Sequence, residues 1–200
     1  AMGAGKRYTE WIMSHFRPWI QGRVCEVGAG IGKNADCLLA CGAEELLLLE
    51  PDARLYATLR SEIRDDARIA ACNKTLGEYC GEGARQFDAF LYMNVLEHIE
   101  RDEEELRTVF ARLRPGGSAL IFVPAMPALF SGYDRMVGHW RRYTRSGLHG
   151  KLESAGFEVQ GMRYFDMAGA IAWFLVCRLM GMRPNRGSVG LYDRVAVPVS

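Results

Sequence analysis

The chain has 200 residues, 49% of them hydrophobic and 24% charged, which suits one globular domain with a continuous core. A formal net charge of +1 and a pI near 7.8 supply no overall basic field, which argues against nucleic acid as the main partner. The six cysteines (Cys25, Cys37, Cys41, Cys72, Cys80, Cys177) form no C-x-x-C pair and read as reduced thiols, so no metal site is assigned.

Ala1-Met2-Gly3 reads as an added leader, and no basic segment leads into an apolar stretch, so a cytoplasmic location is expected. Tyr8, Trp11, Ile12, Phe16, Trp19 and Ile20 recur at near-helical spacing over 7–20, with Pro18 disturbing the last turn. RVCEV (Arg23 to Val27) predicts a buried strand. A glycine turn follows, and Asn34 is placed to cap a helix through Cys41 that stops at Gly42. LLLLE (Leu46 to Glu50) predicts a second buried strand, then a helix with Leu55, Leu59 and Ile63 on one side and Asp52 at its positive end. RIAAC (68–72) and FDAFLYMN (87–94) predict the third and fourth strands. The 102–113 segment puts acids first and Leu106, Val109, Phe110 and Leu113 on one face, an amphipathic helix ended by RPGG. SALIFV (118–123) predicts a fifth strand, followed by an irregular segment to Tyr143, a helix around 148–154, an AGF turn and a sixth strand, EVQGMRYF (158–165). The apolar run 168–182 is about fifteen residues and carries Arg178, whereas a span needs about twenty. It reads as a buried helix, a lid, or a surface for an apolar substrate or a membrane. Strands alternating with helices imply an α/β fold, a Rossmann-like three-layer α/β/α sandwich with a mostly parallel sheet. Ligands then bind beyond the C-terminal strand ends.

VCEVGAGIGKN (Val24 to Asn34) sets Gly28, Gly30 and Gly32 at alternate positions after an apolar strand. A dinucleotide loop, G-x-G-x-x-G, needs its last glycine where this chain has Lys33. E-x-G-x-G-x-G from Glu26 therefore reads as a flat loop for a small ligand, with packing alone as the alternative. Glu50 ends the second strand twenty residues after Gly30, where such folds place a carboxylate that accepts from both ribose hydroxyls. It would repel a 2′-phosphate, so a free ribose is expected; a solvated strand-end acid is the alternative.

VCEVGAGIG, LLEPD, FDAFLYMNVLEHIERDEEEL and LRPGGSALIFVPA occur in that order, and from about Tyr8 to Phe165 the chain resembles the class I S-adenosylmethionine-dependent methyltransferases. PALFSGYDRMVGHWRRYT followed by AGF is similar to a bacterial small-molecule-type subgroup with a GHxRRY motif and no assigned acceptor. The resemblance implies S-adenosyl-L-methionine as cofactor and S-adenosyl-L-homocysteine as product. It implies that the backbone of Gly28, Ala29, Gly30 and Gly32 lies along the methionine part, with Glu26 near its ammonium. Glu50 would hold the ribose, Pro51 and Asp52 would lie beside the adenine, and Leu76 would cover an adenine face. Asn94 and Val95, at the end of the fourth strand, would approach the methionine end. Many relatives carry an acid after the third strand for the adenine amino group; this chain has CNKTLGEY, so Asn73 or a neighbouring carbonyl takes that part. The family's last, antiparallel strand has no clear counterpart, because VAVPV is short and contains Pro198. It is expected to be missing or replaced by a segment with another duty. The expected organisation is an N-terminal helix over 1–22, a cofactor-binding methyltransferase domain over 23–165 with an acceptor-side insertion at 124–143, and a helical cap or tail over 166–200.

Methyl transfer is an in-line displacement that demands alignment and dehydration more than acid–base machinery. Where the acceptor must lose a proton, His139 is the candidate catalytic base, the alternative being a structural bond to Asp134 or a carbonyl. Tyr133, His139, Arg141, Arg142 and Tyr143 are candidate substrate-binding residues, the arginines forking onto an anionic group of an otherwise apolar acceptor. The alternative pairs one arginine with Asp134 or Glu153. His98 either faces the pocket or caps the next helix, and His15 and His149 read as surface residues. If the segment 164–182 folds over the site, Phe165, Met167, Trp173 and Phe174 line an apolar pocket. The expected function is methyl transfer to a small organic acceptor, with oxygen favoured over nitrogen or carbon, no nucleic acid, no membrane span, and peripheral membrane contact left open. Two alternatives remain. An NAD(P)-type oxidoreductase is opposed by Lys33 and by the lack of a Tyr-x-x-x-Lys pair; a non-catalytic partner subunit would have its cleft blocked by 124–143 or by the tail.

Overall fold

The computed structural model describes residues 6–81 and 85–165 of the chain. Five strands, β1 (Gly22–Val27), β2 (Ala43–Leu49), β3 (Ile69–Cys72), β4 (Phe87–Met93) and β5 (Leu113–Phe122), form a sheet in the order β3-β2-β1-β4-β5 with every neighbouring pair parallel. Parallel neighbours require a crossover. Helices α2 (Ala35–Cys41), α3 (Ala53–Glu62), α4 (Leu76–Cys80) and α5 (Asp102–Arg112) supply the four crossovers, while α1 (Lys6–Phe16) precedes the sheet and α6 (Gly132–Met136) and α7 (Arg145–Ser154) follow it.

Because side chains alternate across a strand, the buried runs of β1 and β2 feed two cores. Val24, Leu46 and Leu48 pack with Met13, Leu38 and Leu59 from α1, α2 and α3. Cys25, Val27, Leu47 and Leu49 face Leu76, Leu106, Val109, Leu148 and Leu152 from α4, α5 and α7. The result is the expected three-layer sandwich. The chain leaves β1 toward β2 and β3 and then returns to place β4 on the other side of β1, so strand order reverses between β1 and β4. The turns that leave these two strands flank the crevice where ligands of open α/β sheets sit.

Several local expectations change. The leading helix ends at Phe16, and Pro18 falls in a short 3-10 turn, Arg17–Trp19, because a ring without an N–H fits only the first positions of a helical turn. β5 begins at Leu113 rather than Ser118, with its register to β4 shifting between Phe87 and Ala89 where RPGG adds residues. The segment 158–165, expected as a sixth strand, is irregular, and no antiparallel strand occurs among the described residues. His15 is half-buried rather than a surface residue, its ring 5.1 Å from that of Phe165. Phe165 also lies 4.0 Å from the Trp11 ring, so it packs on α1. Cys25, Cys37, Cys41, Cys72 and Cys80 are free thiols. Cys177, the run 168–182 and the proposed cap over 166–200 lie outside the described residues. No described helix is long and apolar enough to cross a membrane.

Candidate functional site

Gly28, Gly30 and Gly32 have φ of +67°, +59° and +77°, a region that L side chains resist. A Cβ at Gly28 would stand 2.6 Å from Val95 Cγ2, and one at Gly32 would stand 2.9 Å from Ile63 Cγ2. These two glycines let the turn pack against the protein. At Gly30 a Cβ would meet nothing within 4 Å, so the turn carries bare backbone facing open space. Ala29 N donates to Leu49 O at 2.9 Å, which pins the turn to the end of β2.

Glu50 follows β2 and is 5% exposed. Its Oε2 accepts from Gly30 N at 2.8 Å and its Oε1 from Asp52 N at 2.9 Å. A carboxylate oxygen has two acceptor sites, so each retains capacity for a hydroxyl donor. Asp52 is exposed, and its Oδ1 caps α3 by accepting from Arg54 N and Leu55 N at 2.9 and 3.0 Å. The Leu55 and Arg54 amides hold its carboxyl below the usual range. Pro51 is exposed between them. The Asn73 amide nitrogen donates to Glu50 O at 2.8 Å and Pro51 O at 3.0 Å, so the group it has left to offer is an acceptor oxygen. Leu76 is a correction. It has 0% exposure because the capping box of Thr75 and Glu78 starts α4 there and turns this first residue into the core, so it has no surface with which to cover a ring.

Glu26, on β1, is 1% exposed. Asn34 makes no helix-cap bond; its Nδ2 donates instead to Glu26 Oε1 at 2.6 Å. Glu26 Oε2 has no hydrogen-bond partner. Burial pushes this carboxyl up to about 7, against the pull of Asn34 and helped by the charge of Glu50. An orphaned buried carboxylate oxygen is destabilising until a donor or cation reaches it. Such an atom beside bare backbone and a strand-end acid fits an amino-acid nucleoside with an ammonium group and a free ribose.

Across the switch point, Asn94 is exposed and takes φ +54°, its N–H donating to Phe122 O at 2.8 Å, and the Val95 side chain is the one that covers Gly28. The 3-10 turn Leu96–His98 then buries Glu97 completely, with neither carboxylate oxygen partnered. Burial pushes Glu97 up to about 7 despite the nearby Arg142 charge. Sequence reasoning did not single out Glu97, and its only signal was a charged residue directly after an apolar pair. His98 does not cap α5, whose cap residue is Arg101; its ring sits edge-on to that of His139 at 4.6 Å.

His139 follows α6, where Asp134 is fully buried and closes a capping box with Ser131. Asp134 accepts from Ser131 N and Oγ (both 2.9 Å), from Arg142 Nε (2.7 Å) and from the His139 ring at Nδ1 (3.0 Å). Burial opposes its charge, but the Arg142, His139 and Ser131 bonds outweigh it and hold the carboxyl below the usual range. His139 Nε2 faces Glu97 Oε1 at 3.9 Å. The two arginines are divided between internal carboxylates: Arg142 binds Asp134, and Arg141 reaches Asp102 at 2.7 Å and the Glu100 carbonyl at 2.7 Å. They do not form one fork. Tyr143 is also internal, 5% exposed, with its hydroxyl donating toward Leu96 O (3.1 Å) and Asp102 Oδ2 (2.9 Å), so it is a core residue and offers no substrate surface. Burial and Asp102 raise its phenol well above the ordinary value. Tyr133 is half-buried on α6, and Trp140 is exposed while its backbone N–H donates to the Glu97 carbonyl at 2.8 Å.

Comparison with known proteins identifies the family of the chain. Residues 15–161 match a family described as a methyltransferase domain. Over 139 residues the chain is 30% identical to a Mycolicibacterium smegmatis protein named "Probable S-adenosylmethionine-dependent methyltransferase", a match covering 68% of this chain and 52% of that one. The chain thus spans about half the length of that curated relative. Among solved structures, an S-adenosylmethionine-dependent methyltransferase from Mesorhizobium loti superposes with a TM-score of 0.65 at 19% identity, covering 82% of this chain and 88% of that one. DhpI in complex with SAH gives a TM-score of 0.60 at 20% identity, covering 76% of each chain. YcgJ of Bacillus subtilis gives 0.66 at 14% identity, covering 93% of this chain and 82% of its own. At these identities the structural likenesses establish the fold.

Proposed function

This chain belongs to the S-adenosylmethionine-dependent methyltransferase family, and on that premise we propose that it methylates a small organic acceptor, at oxygen, using the two turns that flank the β1–β4 crevice. The family membership removes the nicotinamide oxidoreductase alternative. The observation that carries the site is the Glu50 carboxylate bonded to Gly30 N beside open backbone, with Glu26 Oε2 unpartnered next along β1. Glu50 would accept from the ribose, Glu26 from the ammonium, and the Asn73 oxygen from the adenine amino group, with Pro51 and Asp52 alongside. S-adenosylmethionine held there would supply an electrophilic methyl group on a sulfonium, for transfer to an acceptor lone pair with the sulfur as leaving group.

Asn94 and Val95, which follow β4 and pack against the glycine turn through the Val95 side chain, would stand at the methionine end, beside the acceptor side where His139 lies. Asp134 occupies its Nδ1, so Nε2 presents a lone pair, and His139 is the residue assigned to activating the acceptor oxygen. Oxygen is favoured because a hydroxyl holds its proton at neutral pH and gains most from such a group, whereas a neutral amine attacks before it loses a proton. The split of Arg141 and Arg142 between Asp102 and Asp134 gives no support to an anionic acceptor handle. The test is calorimetric titration with S-adenosylhomocysteine followed by a labelled-methyl screen over hydroxylated acceptors. A purified chain that binds neither the cofactor nor its product would refute the proposal.

A further inference from the structure

Glu97, His98 and His139 each offer one ligand-capable atom, and the three atoms lie within 4.8 Å of one another. Glu97 is 0% exposed and has no donor on either oxygen. A carboxylate taken out of water is strongly disfavoured without a cation or hydrogen-bond donors to replace its hydration. Arg142, whose charge acts on Glu97, directs Nε to Asp134 and Nη1 toward Ala125 O.

The imidazoles are arranged to match. His139 is held at Nδ1 by the Asp134 carboxylate, which leaves Nε2 facing Glu97. His98 stands beside Gly138, whose backbone its ring hydrogen-bonds, which leaves its other ring nitrogen for an ion. Metal-bound histidines show this pattern, with one ring nitrogen on a carboxylate or carbonyl and the other on the ion.

We propose that Glu97, His98 and His139 form a divalent-cation site of the two-imidazole, one-carboxylate kind, suited to zinc or cobalt, on the acceptor side of the β1–β4 crevice. Imidazole donors select these borderline ions over magnesium and calcium, which prefer oxygen-only shells. Ligands of a tetrahedral zinc at about 2.1 Å stand about 3.4 Å apart, so the 3.9 Å between His139 Nε2 and Glu97 Oε1 must contract slightly. His98, exposed at the rim, closes the remaining gap by side-chain rotation. Three protein ligands leave a position for an exogenous oxygen.

For what the ion does there, the inference rests on the methyl-transfer reading; for its binding it does not. An acceptor hydroxyl in the open position loses its proton to water, the O–H electron pair stays on oxygen, and the lowered pKa makes that oxygen the nucleophile. His139 then acts on the acceptor as a ligand of the ion, in place of taking the proton itself. Sequence spacing could not show this site, because its ligands come from two turns that only the fold brings together.

The test uses the full chain, stripped with chelator and titrated with Co²⁺ alone, read by visible d–d absorption and calorimetry. One equivalent is expected to bind. His98→Ala and His139→Ala should each weaken it at least tenfold, and Asp134→Asn by about 10- to 100-fold through loss of the orienting bond. His149→Ala, on α7 and paired with Glu153, should leave it unchanged. Calorimetry with S-adenosylhomocysteine on the same samples separates the two readings and confirms folding. Protein that takes the product but not Co²⁺ overturns the cation site alone; protein that takes Co²⁺ but not the product supports the site and overturns methyl transfer. Co²⁺ affinity equal in His98→Ala, His139→Ala and the parent chain also overturns it.

Discussion

If Glu26 grips the cofactor ammonium, product affinity must follow the ionisation of this one buried carboxyl. Its pKa of about 7 leaves about a tenth of it ionised at pH 6 and about nine-tenths at pH 8. Apparent affinity for S-adenosylhomocysteine should therefore strengthen about tenfold, or about 1.4 kcal/mol, between those values. Folding responds in the opposite sense. The folded pKa lies above the ordinary value of 4.5, so the stability contribution of Glu26 is complete below pH 4.5 and is lost as pH rises to about 7. The loss is on the order of 3 kcal/mol for the ligand-free protein. The assay is calorimetry at pH 6, 7 and 8 on the parent and on Glu26→Gln, with urea denaturation of both without ligand. Glu26→Gln should bind more weakly at pH 8, show a flat pH profile, and be no less stable than the parent at pH 8. An unchanged slope in Glu26→Gln would refute the assignment of this carboxyl to the ammonium.

Four further variants test the remaining parts. Glu50→Ala should weaken S-adenosylhomocysteine by roughly 1.5–3 kcal/mol, measured by calorimetry, since it removes a charged acceptor and frees the amides of Gly30 and Asp52. Gly28→Ala should lose about 2–5 kcal/mol of stability in urea, combining the strain of φ +67° with overlap on Val95. Gly30→Ala should lose only about 1–2 kcal/mol, for backbone strain, yet lose most of its product affinity, because the added methyl enters space the protein leaves empty. Equal stability losses in the two would contradict the division of labour between these glycines. His139→Ala should lower turnover on an identified acceptor by about 10²- to 10⁴-fold while product affinity stays within twofold.

The errors of sequence reasoning share a physical origin. Arg141 and Arg142 are adjacent and so looked like one fork. They lie in an irregular segment just before the isolated bridge of Tyr143 to Ala125, and each finds a different carboxylate, Asp102 on α5 for one and Asp134 on α6 for the other. Leu76 and Asn34 have the right types in the right order, but docking of their helices aims one into the core and the other onto Glu26. Residues 158–165 alternate like a strand, yet a strand exists only through a partner, and none pairs with them among the described residues.

What could be read directly from the chain is what local chemistry controls: five of the strands and three of the four helices that connect them, the short α4 having gone unread, the glycine turn that backbone sterics demand, and the acid that ends the second strand. Those features depend on a residue and its covalent neighbours. The duties of the buried charges depend on through-space partners and on loss of water. Glu26 and Glu97 became unsatisfied carboxyls, Asp134 became the hub that orients His139, and His98 met His139, because the sheet brings the turns after β1 and β4 to one edge and the segment after β5 folds over them.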